Sequence, residues 1–200
     1  FAEDGLWGRL YALGIIMIDN GRFDEAIDIL NKSLASIDFD PETWNYLGVA
    51  YWNTGRFDEA LEAYERALSL DSNYAIVFNN RGSLFLSRFF KDKRSDDLAH
   101  AREDFRKAVE LDPKYASAWN GLGVSSSQTG DLDDAITALK MAVELKPDFG
   151  FALYNLGLGL LGRGDKAEAL RSFTRYRDLF SSTLSPRDRA KLDELIAKCR

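Results

Sequence analysis

The chain has 200 residues, 46% hydrophobic and 29% charged, with 26 Lys and Arg against 32 Asp and Glu for a net charge of −6. That composition suits a chain able to bury a large interior, and the acidic balance, with acid and base alternating along segments such as Glu59, Glu62, Glu65 and Arg66, argues against nucleic-acid binding. No apolar run approaches the roughly 18 residues of a membrane span, so no membrane role is expected. The longest run near the start, Leu13–Ile18, is too short for a signal-peptide core and lacks a basic flank. The single cysteine, Cys199, excludes an internal disulfide. That is compatible with the cytoplasm, the favoured compartment. The first residue is Phe1 rather than Met, which suggests a processed product or part of a longer protein.

The chain reads as helices in pairs. A first unit, about residues 7–40, carries Leu10, Leu13, Gly14, Met17, then Gly21, Phe23, Ala26, Leu30 and Ser33. The second, 41–74, carries Trp44, Leu47, Gly48, Tyr51, then Gly55, Phe57, Ala60, Tyr64 and Ala67, so Gly14 to Gly48 and Gly21 to Gly55 are both 34 residues. Trp44, Leu47 and Tyr51 fall at i, i+3 and i+7 and share one helix face. Gly48 removes a side chain where the second helix comes closest. Gly55 sits at a turn expected to be left-handed, and Asp58 and Glu59 suit a helix start.

The third unit, 75–115, has Phe78, Gly82 and Phe85, then Ala101, Phe105 and Ala108. Ala60 to Ala101 is 41 residues, seven more than the repeat, and the turn glycine is missing, so an insertion lies between Phe89 and His100. The fourth unit, 116–149, has Trp119, Gly123, Gly130, Ala135 and Ala142, and the fifth, 150–183, has Leu153, Gly157, Gly164, Ala169 and Phe173. Tyr176 stands in place of a small Ala, which predicts looser packing of the last pair. Ser185 and Pro186 then read as N-cap and first residue of a final helix over 184–200. Its apolar stripe of Leu192, Leu195, Ile196 and Cys199 suits a cap on the array.

This spacing, repeated five times, resembles the tetratricopeptide repeat (TPR), a helix–turn–helix unit of 34 residues. The resemblance covers about residues 7–180. It implies an all-α, right-handed superhelical solenoid of antiparallel helix pairs whose first helices line a concave groove that binds protein or peptide partners. The family's carboxylate clamp for chaperone tails needs Lys and Asn on one first helix, Asn on the next and Lys plus Arg on the third. No frame of this sequence supplies those cations, so that mode is not expected.

The groove is expected instead to hold Tyr11, Asn45, Asn79, Asn120 and Tyr154, which directly follow the Trp-type core position of each unit, with Asn155 beside them. Val49, Ser83, Val124 and Leu158 come one turn on, and Trp52 and Leu86 lie deeper. Asn45, Asn79 and Asn120 form a ladder that either binds a peptide backbone or bonds to an adjacent helix. The ladder resembles the one in the O-linked N-acetylglucosamine transferases, where the Asn sits one residue further along. Trp44 and Trp119 read as core. Trp52 reads either as core or as a binding anchor. The insertion supplies Phe89, Phe90, Lys91, Lys93 and Arg94, either as a protruding partner loop or as helical extensions with solvated charges.

Nothing in the sequence carries chemistry. A lone His100 is no metal site, and the glycines of 157–164 follow no strand and form no phosphate loop. No enzyme activity, cofactor or metal is expected. The leading expectation is a non-catalytic protein-interaction scaffold. The alternatives are a structural spacer or self-association arm, with homo-oligomerisation, and the regulatory region of a larger protein.

Overall fold

The computed structural model describes residues 3–36 and 38–200. These form eleven α-helices and no strand: α1 (Glu3–Asp19), α2 (Phe23–Ser36), α3 (Pro41–Asn53), α4 (Phe57–Leu70), α5 (Ala75–Asp92), α6 (Ser95–Leu111), α7 (Ala116–Gln128), α8 (Leu132–Leu145), α9 (Gly150–Arg163), α10 (Lys166–Phe180) and α11 (Pro186–Lys198). The chain divides into two compact units, one up to Leu84 and one from Phe85 on, with the boundary inside α5. In the first unit α1 packs on α2, α2 on α3 and α3 on α4. In the second, each helix from α6 to α11 packs on the next.

Helix α4 shows why these segments are helical. Ala60, Ala63, Tyr64 and Ala67 fall at helical spacing and are buried, while Asp58 and Glu59 occupy the first turn. At the start of α3, the Asp40 carboxylate accepts from Thr43 N at 2.7 Å and Pro41 takes the first helical position. The small residues permit close approach. A Cβ at Gly48 would stand 2.6 Å from the Tyr64 ring, and one at Gly157 2.5 Å from Phe173. The turns after the first helices are left-handed at Gly21, Gly55, Gly130 and Gly164, with φ of 71°, 80°, 86° and 96°.

In the third pair that place is taken by Lys93, at φ 58°. The inserted residues do not form a protruding loop. Helix α5 runs 18 residues against 13 for α3 and α7, and α6 runs 17 against 14 for α4 and α8. Phe89, Phe90 and Lys91 are therefore the last turn of α5, and of the expected loop residues only Lys93 and Arg94 lie in the connection. Extension is favoured because each added helical residue makes a backbone hydrogen bond that a loop would leave to water.

A second correction concerns Trp44 and Trp119. Both indoles are half-buried rather than fully buried, and Trp44 packs against the core of the first unit. Each folds over the turn before its helix, and its Nε1 donates to a carbonyl six residues back, Trp44 to Asp38 O at 2.7 Å and Trp119 to Pro113 O at 2.9 Å. An indole has an apolar body and one donor, so this position satisfies both.

The interior of the first unit gathers Met17, Ala26, Ile27, Leu30, Leu34, Leu47, Ala50 and Ala63. In the second unit α11 closes the end. Leu192, Ile196 and Cys199 are buried in one cluster with Leu156, Leu160, Ala169 and Phe173. The Ser185 hydroxyl accepts from Asp188 N at 3.1 Å, capping α11 as its sequence predicts.

Candidate functional site

In the first unit, Tyr11 is half-buried and already engaged. Its hydroxyl donates to Glu42 Oε2 at 2.7 Å, and its ring stacks on Trp7 and meets Tyr46 edge-on. Burial, followed by the Glu42 contact, pushes the Tyr11 phenol well above its usual range. Asn45 and Asn79 are buried, at 3% and 8% exposure. Asn80 Nδ2 donates to Asn45 Oδ1 at 3.0 Å, and Asn79 Nδ2 donates to Asn80 Oδ1 at 3.3 Å. The Ser83 hydroxyl donates to Asn79 O at 2.8 Å. Val49 and Trp52 are half-buried.

The second unit repeats the amide pairing, with Asn155 Nδ2 donating to Asn120 Oδ1 at 3.0 Å. Asn45 and Asn120 of the expected ladder thus bond across neighbouring first helices, each to an Asn one place further along the next repeat, whereas Asn79 bonds to its chain neighbour Asn80 on the same helix. A buried amide left unpaired costs about 1–3 kcal/mol, which accounts for the partner. Asn80 and Asn155 were the legible signal for it.

Leu86 and Val124 are half-buried. Phe89 and Phe90 pack on each other, with the Lys93 ammonium 5.4 and 5.6 Å from their ring centres. Behind them Arg88 binds the buried Asp97 with two bonds, Nε at 2.9 Å and Nη2 at 2.6 Å, and the exposed Arg94 stands 3.8 Å from the same carboxylate. The Arg88 bonds hold the Asp97 carboxyl below the usual range. His100 lies against the Phe85 ring at 5.1 Å. Cys199 is buried, and its thiol donates to Leu195 O. Among the described residues no three His, Cys, Asp or Glu gather as a metal site.

The most exposed large apolar side chain among the described residues lies on α9. Phe151 is 75% exposed and Leu158 39%, and Tyr154 and Asn155 lie between them on one face. Beside it is a cavity of about 710 Å³, walled by Phe149, Phe151, Tyr154, Tyr176, Phe180 and Leu184, with Lys146 and Lys191 among its charged lining. Its sequence signal was Tyr176. At the equivalent positions Ala67, Ala108 and Ala142 let two helices close to contact. Tyr176 instead leans on Tyr154 and Phe180, at 5.5 and 5.2 Å between ring centres. Gly150 gives Phe180 its room, since a Cβ there would stand 2.8 Å from that ring. Of this wall the sequence had singled out only Tyr154 and Asn155 as site residues. Phe149, Phe180 and the two lysines carried no such signal because they are spread over α10, α11 and the turn before α9.

Models of the tetratricopeptide repeat match residues 41–74, 93–148 and 151–183. The chain belongs to the tetratricopeptide repeat family. Protein bimA of Emericella nidulans is 26% identical to this TPR chain over 113 residues, a stretch that is 56% of the chain but 13% of bimA, so most of bimA has no counterpart here. The crystal structure of MamA superposes with a TM-score of 0.69 at 28% identity, covering 84% of this chain and 95% of that one. PilW, a type IV pilus biogenesis factor, gives a TM-score of 0.80 over 96% of this chain and 87% of its own, but at 21% identity that likeness speaks to the fold alone.

Proposed function

We propose that this TPR chain is a non-catalytic protein-interaction scaffold that holds an extended peptide or partner helix against the open faces of its first helices. One observation carries the reading. The α9 stripe of Phe151, Tyr154 and Leu158 leaves large apolar side chains in water beside a cavity walled by aromatic rings. Exposed aromatic surface at a concave site is where binding energy concentrates. Val49, Trp52, Ser83 and Leu86, in the earlier first helices, are the further contacts this reading assigns. Asn45, Asn79 and Asn120 serve mainly to fix those helices through their amide pairs. A self-association arm is the second reading, favoured by Leu6, Leu13 and Ile16, three exposed apolar residues on α1.

The test is a capture experiment from a lysate of the source organism, using the chain as it stands and a Phe151→Asp, Leu158→Asp variant. Both positions are exposed, so the variant is expected to fold, with circular dichroism as the check. Partners held by the unaltered chain and lost by the variant are the expected result. Partners held equally by both would remove α9 from the site, and concentration-dependent self-association without partners would favour the second reading.

A further inference from the structure

The cavity's chemistry is more specific than its aromatic wall, and charge supplies the added information. Residues 146–200 carry eleven Lys and Arg against seven Asp and Glu, a net +4, whereas residues 1–145 carry fifteen against twenty-five, a net −10. The cavity lies wholly within the basic part, on α9, α10 and α11 and the turns that precede α9 and α11.

The charges that line it are not equivalent. The Asp188 carboxylate accepts from the Ser185 hydroxyl at 2.6 Å and sits in the first turn of α11, where the helix dipole offsets it. Asp148 stands two residues ahead of α9, near the positive end of that helix dipole. Lys146 and Lys191 are both exposed, and neither has an ion-pair partner among the described residues. The Lys146 ammonium is instead 5.5 Å from the centre of the Phe149 ring. Asp188 is thus locally compensated, and the two ammonium groups are left to an incoming ligand.

From this, and resting on the scaffold reading above, we infer that the cavity between α9, α10 and α11 docks an acidic peptide segment, with one large apolar or aromatic side chain entering among Phe151, Tyr154, Tyr176 and Phe180 while flanking carboxylates meet Lys146 and Lys191. The walls supply burial for the side chain. The lysines supply orientation and a faster encounter. A volume of 710 Å³ has room for an indole together with part of the backbone that carries it. The occupant is an internal segment rather than a chain end, because the carboxylates it presents must reach two lysines on different elements.

The experiment uses the full chain and blocked, labelled hexapeptides read by fluorescence anisotropy: a Trp among Glu and Asp, the same with Gln and Asn for the acids, the same with Ala for Trp, and the same with Lys for the acids. A fifth carries the acidic Trp sequence with a free carboxyl terminus. The acidic Trp peptide is expected to bind, with affinity falling about two- to fivefold in the neutral peptide, the scale of one exposed ion pair, and falling again with added salt. The Ala peptide loses binding. A Lys146→Glu, Lys191→Glu variant reverses the preference between acidic and basic peptides, and Phe151→Asp weakens all of them. Equal binding of the acidic and neutral peptides overturns the inference, as does indifference to both variants or no binding by any peptide. Preference for the free carboxyl terminus overturns the assignment to an internal segment. Each of these leaves the scaffold reading standing if the lysate partners are still lost on Phe151→Asp, Leu158→Asp, whereas retention of those partners removes α9 from the site and this inference with it.

Discussion

Single residues show where the repeat's rules hold and where the chain departs from them. Four turns use glycine at positive φ and the third uses Lys93 at 58°. A left-handed non-glycine residue costs about 1–2 kcal/mol. The contact of its ammonium with the Phe89 and Phe90 rings returns about 0.5 kcal/mol at an exposed site. The penalty wins, so Lys93→Gly is expected to raise stability by roughly 1 kcal/mol, read as a higher denaturant midpoint at unchanged slope. Tyr64 departs differently. Its ring fills the space left by Gly48, yet its hydroxyl is buried without a hydrogen-bond partner among the described residues. The sequence marks Tyr64 as core, but the fate of one oxygen depends on neighbours that the sequence does not place.

At the scale of elements, the seven extra residues lengthen α5 and α6 instead of looping out. What holds the longer helices is the Arg88–Asp97 pair, with Asp97 at 1% exposure. The Arg88 hydrogen bonds depress the Asp97 carboxyl in the folded chain. Its contribution is therefore present in full above the ordinary carboxylate value near 4 and is lost as pH falls through the lower folded value. Asp97→Asn should cost about 2 kcal/mol at neutral pH, the worth of hydrogen bonds to a charged group. Denaturation at pH 7 and at pH 2.5 would check it, with the gap between wild type and variant shrinking in acid. The two helical extensions were one of the two readings open in the sequence. The ion pair behind them was not legible, because nothing in a linear spacing of nine residues, from Arg88 to Asp97, requires two helices to bring those side chains together.

For the whole molecule, a solenoid is stabilised by contacts between neighbouring repeats, so its ends decide whether the last interface survives. Helix α11 provides that end for the second unit. Leu192 is 1% exposed, against the cluster around Phe173. Leu192→Ala should cost about 3 kcal/mol, and hydrogen exchange should show α10 and α11 losing protection ahead of α7 and α8. The net charge of −6 also conceals a division visible only when the fold is laid on the sequence. The basic stretch 146–200 is the part that builds the aromatic cavity.

The sequence by itself determined the repeat, the helix pairing, the turn glycines and the capping helix, because each follows from local periodicity and from backbone geometry that one residue type permits. It also marked Tyr176 as a misfit. Only the tertiary structure decided what the misfit produced. A ring at a position where other repeats hold alanine leaves a gap whose walls come from α9, α10 and α11. Tertiary structure likewise decided that Asn45 and Asn79 turn inward to amide partners, and that Trp44 and Trp119 are only partly buried. Those outcomes depend on which side chains meet across helices, and hydrogen-bond satisfaction and free volume are settled there.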